Sequence, residues 1–348
     1  MTLPVDRELL RRLPKAELHC HLDGSVRPET LLDLARQYGK PMPAGDAESL
    51  RAYMKVGDAR NLEEYLQRFD VTLSVLQTES ALERVAYELA ADAARDGVRY
   101  IEVRYAPVLN VCEGLSLEQA VEAPLRGLAR AERDHGIIGR VLVTALRTLP
   151  PAASREMAEL AVAFKHRGVV GFDLAGGERG HPAERHASAF EYVRSHDMAC
   201  TCHAGEGDGP ASVRQAVHVC GAHRLGHATR LIEDTSLTDY CNDHRVPLEI
   251  CLTSNVQTRA ARSYETHPFR TYFDRGLNVV LNTDNRLMSG VTLTDEYVHA
   301  ARSLRFTFDE LARVALNGFE SSFLPFEERT RLLTAARAEI AELRKAVA

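Results

Sequence analysis

Apolar and polar positions alternate in short bursts along this chain, and between the bursts apolar positions recur at helical spacing. The segment Ala16-Glu17-Leu18-His19-Cys20-His21-Leu22 predicts a first strand. His19 and His21 share one face of it, because strand side chains repeat every two residues, and Cys20 points the other way. Arg27-Pro28-Glu29 predicts a helix start, with Pro28 placed early where its missing N–H costs nothing, and Gly39 predicts the end. Residues 40–60 are polar and rich in Pro, Gly and Asp, and predict a loop. Leu62, Tyr65, Leu66, Phe69 and Leu73 then follow helical spacing. That stripe reads either as a core-facing surface or as a lid, since it carries two aromatics in an insertion between strands 1 and 2.

The same alternation continues. A helix over 81–96, with Leu82, Val85, Leu89 and Ala93 on its apolar face, stops at Gly97 before a strand over 98–104. Ser116 and Gln119 stand at capping-box spacing ahead of another helix. Further strands are predicted over 137–146, 168–176, 198–203, 224–227, 247–253 and 277–284. Helices are predicted after Pro150-Pro151, near 183–196 and from Pro210, and several more from about 293. Strand alternates with helix eight times and no 20–50-residue repeat is visible, which predicts a (β/α)8 TIM barrel rather than an open sheet. The expectation is one domain over residues 1–348, with a lid insertion after strand 1 and a helical C-terminal tail.

Composition narrows the function. The 348 residues are 45% hydrophobic and 26% charged, with a formal net charge of −6 and no basic block. A nucleic-acid or acidic-membrane partner is therefore disfavoured. The N-terminal stretch has no apolar core like that of a signal peptide, and no apolar run is long enough to span a bilayer. Seven cysteines, an odd number with several inside apolar runs, fit a reduced cytoplasmic protein better than a disulfide framework. No Cys-x-x-Cys pair suggests a thiolate zinc ribbon.

The candidate chemistry sits at strand ends. Cys200-Thr201-Cys202-His203-Ala204-Gly205-Glu206 reads as a buried strand that delivers a histidine and then, across a small-residue step, a carboxylate. In a barrel the catalytic groups gather at the C-terminal ends of strands. Those ends offer His19 and His21, His203 with Glu206, His227, and Asp284. Four imidazoles and two carboxylates would converge on one mouth. Neutral imidazole and carboxylate suit Zn²⁺, although iron, cobalt or manganese could take the same ligands.

These residues carry a resemblance. Glu17-Leu18-His19-Cys20-His21-Leu22-Asp23-Gly24, Asp173-Leu174-Ala175-Gly176, His203-Ala204-Gly205-Glu206, Gly226-His227 and Asn282-Thr283-Asp284 resemble, in order, the motif set of the adenosine deaminase family of the amidohydrolase superfamily. The resemblance implies one zinc ion per subunit, held by His19, His21, His203 and Asp284. It implies that Glu206 protonates a purine ring nitrogen, and that His227 orients and helps deprotonate the attacking water. It implies a catalytic share for Asp284, whose spare oxygen could also aim the water. His21, Asp23, the Gly176 backbone N–H and Asn285 would bind substrate, with Asp23 at the ribose hydroxyl. Leu62, Tyr65, Leu66 and Phe69 match the family's hydrophobic gate. The implied reaction is hydrolytic deamination of adenosine and 2′-deoxyadenosine to inosine and ammonia. The alternative is another 6-aminopurine substrate: 6-aminodeoxyfutalosine, a 5′-modified adenosine or adenine. No lysine ends strand 4, which favours one metal over two. The chain departs from the family at Asn285, where a second Asp is common. An amide donates without first being protonated, so the departure bears on substrate preference rather than on mechanism. The partner expected is a small purine nucleoside, and the monomer or homo-oligomer question stays open.

Overall fold

Eight short buried runs form eight strands: β1 Lys15–His21, β2 Val98–Tyr105, β3 Ile138–Leu146, β4 Val169–Ala175, β5 Ala199–Ala204, β6 Arg224–His227, β7 Leu248–Ile250 and β8 Val279–Leu281. The structure is a computed structural model that describes residues 5–57 and 61–347. Each strand pairs in parallel with the next, in the order β1 to β8. The runs are buried almost throughout, charged residues included, because helices cover the outer face of a parallel sheet.

The sheet comes round to a nearly closed barrel. At the seam Cys20 bridges Asp284, the Asp284 amide donates to the His19 carbonyl at 3.0 Å, and the His21 amide donates to the Asp284 carbonyl at 2.7 Å. Below this, the Asn282 side chain takes the place of a strand. Its Oδ1 accepts the amides of both Leu18 (2.7 Å) and His19 (3.1 Å). Two successive amides on one acceptor mark the irregularity in β1 between Glu17 and Cys20. It explains why Glu17 does not join His19 and His21, as strict alternation would require. Glu17 binds Thr283 and Arg286 instead.

Local chemistry accounts for the helix ends. Pro28–Tyr38 begins on its proline and ends on Gly39 in the left-handed region, and Leu117–His135 begins on a Ser116/Gln119 capping box, as the sequence predicts. Three expectations need correction. Residues 40–60 are not all loop, because Ala47–Met54 is helical, with the Asp46 side chain accepting from the Ser49 amide. The stripe from Leu62 to Leu73 is two short helices, Leu62–Leu66 and Phe69–Leu73, broken at Gln67-Arg68. The apolar run 247–253 is strand only to Ile250, and Leu252–Gln257 turns helical.

The chain after 293 folds into Leu293–Ser303, Phe308–Glu320 and Phe326–Val347. Phe319, Leu324 and Ala336 pack with Ala16, Leu18, Tyr100 and Val280, so these helices cover apolar barrel surface. Among the described residues, no helix is long and apolar enough to cross a membrane.

Candidate active site

The strand ends deliver the predicted groups to one place by bending the chain. His227 and Asp284 have φ of +62° and +63°, a left-handed backbone that costs a non-glycine residue about 1–3 kcal/mol and turns each side chain away from its strand's line. Gly226 is glycine for space. A Cβ there would lie 3.1 Å from the His203 Cα and 3.2 Å from the His19 Cε1.

His19, His21, His203 and Asp284 each present one ligand-type atom, and the four atoms lie within 4.8 Å of one another. Asp284 Oδ1 is 3.2 Å from His19 Nε2 and 3.3 Å from His21 Nε2, and His21 Nε2 is 3.3 Å from His203 Nε2. The rings are held from behind. His19 Nδ1 is 2.9 Å from Glu249 Oε2, and His203 Nδ1 is 3.2 Å from Asp173 Oδ1. Arg104 joins those two carboxylates, at 2.8 Å from Glu249 and 3.2 Å from Asp173, and Arg224 closes on Glu249 at 2.6 Å. Burial works to raise the Glu249 carboxyl, but Arg104 and Arg224 outweigh it and hold it well below the ordinary range. Burial is likewise outweighed at Asp173, where His203 and Arg104 hold the carboxyl low. Both acids therefore stay ionised.

A backing carboxylate fixes a ring's proton on Nδ1 and leaves a lone pair on Nε2. The buried His19 Nε2 makes no hydrogen bond of its own. Imidazole lone pairs and a carboxylate at this spacing fit a divalent transition metal such as zinc.

Glu206, His227 and Asp284 form a second group, also within 4.8 Å. Glu206 Oε2 lies 3.3 Å from His227 Nε2. Burial, with Asp284 and Glu178 nearby, pushes the Glu206 carboxyl well above its ordinary range, so it keeps its proton. Burial drives His227 the other way, well below the usual imidazole value. The loop that carries Glu206 is clamped: the buried Glu178 carboxylate accepts the amides of Gly205 (2.7 Å), Glu206 (3.0 Å), Gly207 (2.6 Å) and Asp208 (3.1 Å).

His21, Gly176 and Asn285 line the same cavity as His203, Glu206, His227 and Asp284, and so do Leu62, Tyr65, Leu66 and Phe69. The His21 and Phe69 rings stand edge to face, 6.3 Å apart. Asp23 does not line this cavity. It is buried, its Oδ1 has no partner, and burial pushes it up to about 7. Asn285 packs so closely on Gly24 that a Cβ there would come within 1.7 Å of Asn285 Oδ1.

Sequence reasoning missed the helix Leu252–Gln257 and its exit. Ser254 Oγ donates to Asp284 Oδ2 at 2.6 Å, Asn255 Nδ2 is 3.0 Å from His227 Nδ1, and Thr258 Oγ1 donates to Glu206 Oε1 at 3.0 Å. The oxygen of Asp284 expected to be spare thus already accepts a hydrogen bond. It also missed Glu249, Arg104 and Glu178, and gave Asp173 no role. The available signal was charge in otherwise apolar strands, because a fully buried charge needs a partner.

A parallel barrel that gathers metal-type ligands and a proton-holding carboxyl at the C-terminal ends of its strands is built as a hydrolase. A family model described as adenosine deaminase matches residues 14–338, and the chain belongs to the adenosine deaminase family and is a hydrolytic deaminase. An adenosine deaminase of Mycobacteroides abscessus is 44% identical over 351 residues, which cover 96% of each chain. Among solved structures, an adenine deaminase from Arthrobacter aurescens is 29% identical, with a TM-score of 0.88 over 95% of this chain and 99% of that one. An amidohydrolase from Burkholderia ambifaria with bound Zn is 25% identical, with a TM-score of 0.89 over 99% of this chain and 96% of that one.

Proposed function

We propose that this chain is a zinc-dependent enzyme that hydrolytically deaminates adenosine and 2′-deoxyadenosine, giving inosine from adenosine and releasing ammonia. The observation that carries this reading is the buried Glu206 carboxyl beside the cluster of His19, His21, His203 and Asp284. A 6-aminopurine resists attack because addition breaks its aromaticity. Protonation of the ring nitrogen next to the attacked carbon removes that resistance, and it needs an acid still protonated near neutral pH.

The four cluster residues would hold one zinc ion, which when bound makes water a competent nucleophile at neutral pH. Glu206 gives its proton to the ring nitrogen. Gly176 offers its backbone N–H, and Asn285 its amide, to other purine nitrogens. Asp23 takes the ribose hydroxyl once the pocket opens to it. Leu62, Tyr65, Leu66 and Phe69 shut water out. Seven free cysteines, six of them buried, support a reducing, cytoplasmic location.

The competing substrate is free adenine, favoured by the likeness to the Arthrobacter enzyme. Steady-state kinetics of the zinc-loaded protein on adenosine, 2′-deoxyadenosine, adenine and 6-aminodeoxyfutalosine decides. The two nucleosides should lead in kcat/KM. A lead of another compound by about tenfold, or 1.4 kcal/mol of transition-state binding, overturns the substrate.

A further inference from the structure

Three of this site's four histidines are backed by groups of opposite polarity. Behind His19 and His203 stand carboxylates, which only accept, so each ring keeps its proton on Nδ1. Behind His227 stands an amide. Asn255 Nδ2 is 3.0 Å from His227 Nδ1, and Asn255 Oδ1 is 3.2 Å from His267 Nε2.

The direction of this line is set at its far end. The Phe269 backbone N–H donates to His267 Nδ1 at 3.1 Å. A backbone N–H cannot be reversed, so His267 Nδ1 is an acceptor and the neutral ring carries its proton on Nε2. That proton goes to Asn255 Oδ1. Turning the amide over would require His267 to accept at both nitrogens, which a neutral imidazole cannot do. Burial pushes His267 down to about 3, so the ring stays neutral. Asn255 therefore donates to His227 Nδ1. Neutral His227 is left with its one proton on Nε2, the nitrogen 3.3 Å from Glu206.

Building on the deaminase reading, we infer that Asn255 and His267 are positioning residues that fix His227 as an Nε2–H donor, so that His227 orients the attacking water and leaves the water's proton to the Asp284 carboxylate, the remaining member of the group that Glu206 and His227 form. An N–H aimed at that oxygen holds its direction and stabilises the negative charge it carries into the reaction. The mouth thus holds two kinds of histidine. One kind turns a lone pair inward for a metal, and the other turns a proton inward for the water.

The test is nitrogen NMR of zinc-loaded protein carrying ¹⁵N-labelled histidine, with the His227 signals assigned by their loss in His227→Gln. It reads the tautomer with no substrate present, so it stands even if adenosine proves to be the wrong substrate. Near neutral pH the expected state is a protonated Nε2 and a bare Nδ1. The reverse pattern overturns the inference. Asn255→Asp exchanges the donor for an acceptor and should move the proton to Nδ1. Zinc content and KM should hold while kcat, on whichever substrate leads, falls about 100-fold. Unchanged kcat with a reversed tautomer overturns the functional half. His267→Gln keeps a donor for Asn255 and should keep the wild-type tautomer, whereas a reversal there overturns the relay.

Discussion

Glu206 can act as an acid only while it holds a proton, and its neighbours favour that state. Burial, with Asp284 and Glu178 nearby, disfavours its charge and outweighs the hydrogen bond from the Thr258 hydroxyl, which favours it. Glu206→Gln keeps the shape and removes the transferable proton. Zinc content and adenosine binding, read by calorimetry, should persist, while kcat falls about 10²–10⁴-fold. Full turnover would remove the acid role. Glu296 shows the same physics in a structural setting. It is fully buried, its oxygens lie 3.2 and 3.3 Å from the Thr253 amide, and burial pushes it up to about 8. A carboxyl raised on folding gives stability that is fully present below its unfolded value and lost as pH rises through the folded one. The loss here runs from about 4.5 to about 8. Glu296→Gln should flatten the fall of Tm across that window, and a wild-type slope in the variant would exclude Glu296 as its source.

The helix Leu252–Gln257 does more for the site than its six residues suggest. Alone, so short a helix would not hold together in water. Here Glu296 caps its first turn, and Ser254, Asn255 and Thr258 reach Asp284, His227 and Glu206 in turn. Ser254→Ala frees Asp284 Oδ2 from its anchor and should lower zinc affinity about 10–100-fold, measured by competition with a chelating dye. Unchanged affinity would show that Asp284 needs no anchor. The run from Pro247 to Thr253 gives no warning of this helix, because a buried strand and a buried helical turn share the same apolar composition. The eight strands and the positions of His19, His21, His203, Glu206, His227 and Asp284 were legible, since local burial and strand ends decide them. The irregularity in β1 was not, because it depends on Asn282, more than 260 residues away. Ala47–Met54 was missed for a local reason: it buries only Leu50 and Met54, too few to set a period.

At the scale of the molecule, the barrel depends on its seam. Asn282 serves two buried amides of β1, and Asn282→Ala would strand both at about 1–3 kcal/mol each. Urea unfolding should show a midpoint lowered accordingly, and wild-type stability would mean that the seam is held elsewhere. The site is equally a property of the whole. The free space within its cavity, which Leu62, Tyr65, Leu66 and Phe69 help to line, is about 40 Å³, too little for the proposed nucleoside unless one of the walls moves. The seam has a consequence during synthesis. On the proposed ligand set, a nascent chain leaving the ribosome presents His19 and His21 early and His203 midway, but Asp284 only after four-fifths of the chain has been made. Until then β1 has no β8 to meet, and the three imidazoles lack both their carboxylate and their closed frame. On that ligand set the complete metal site forms only after translation has passed the last strand, and a prematurely terminated chain would offer a metal three imidazoles with no carboxylate.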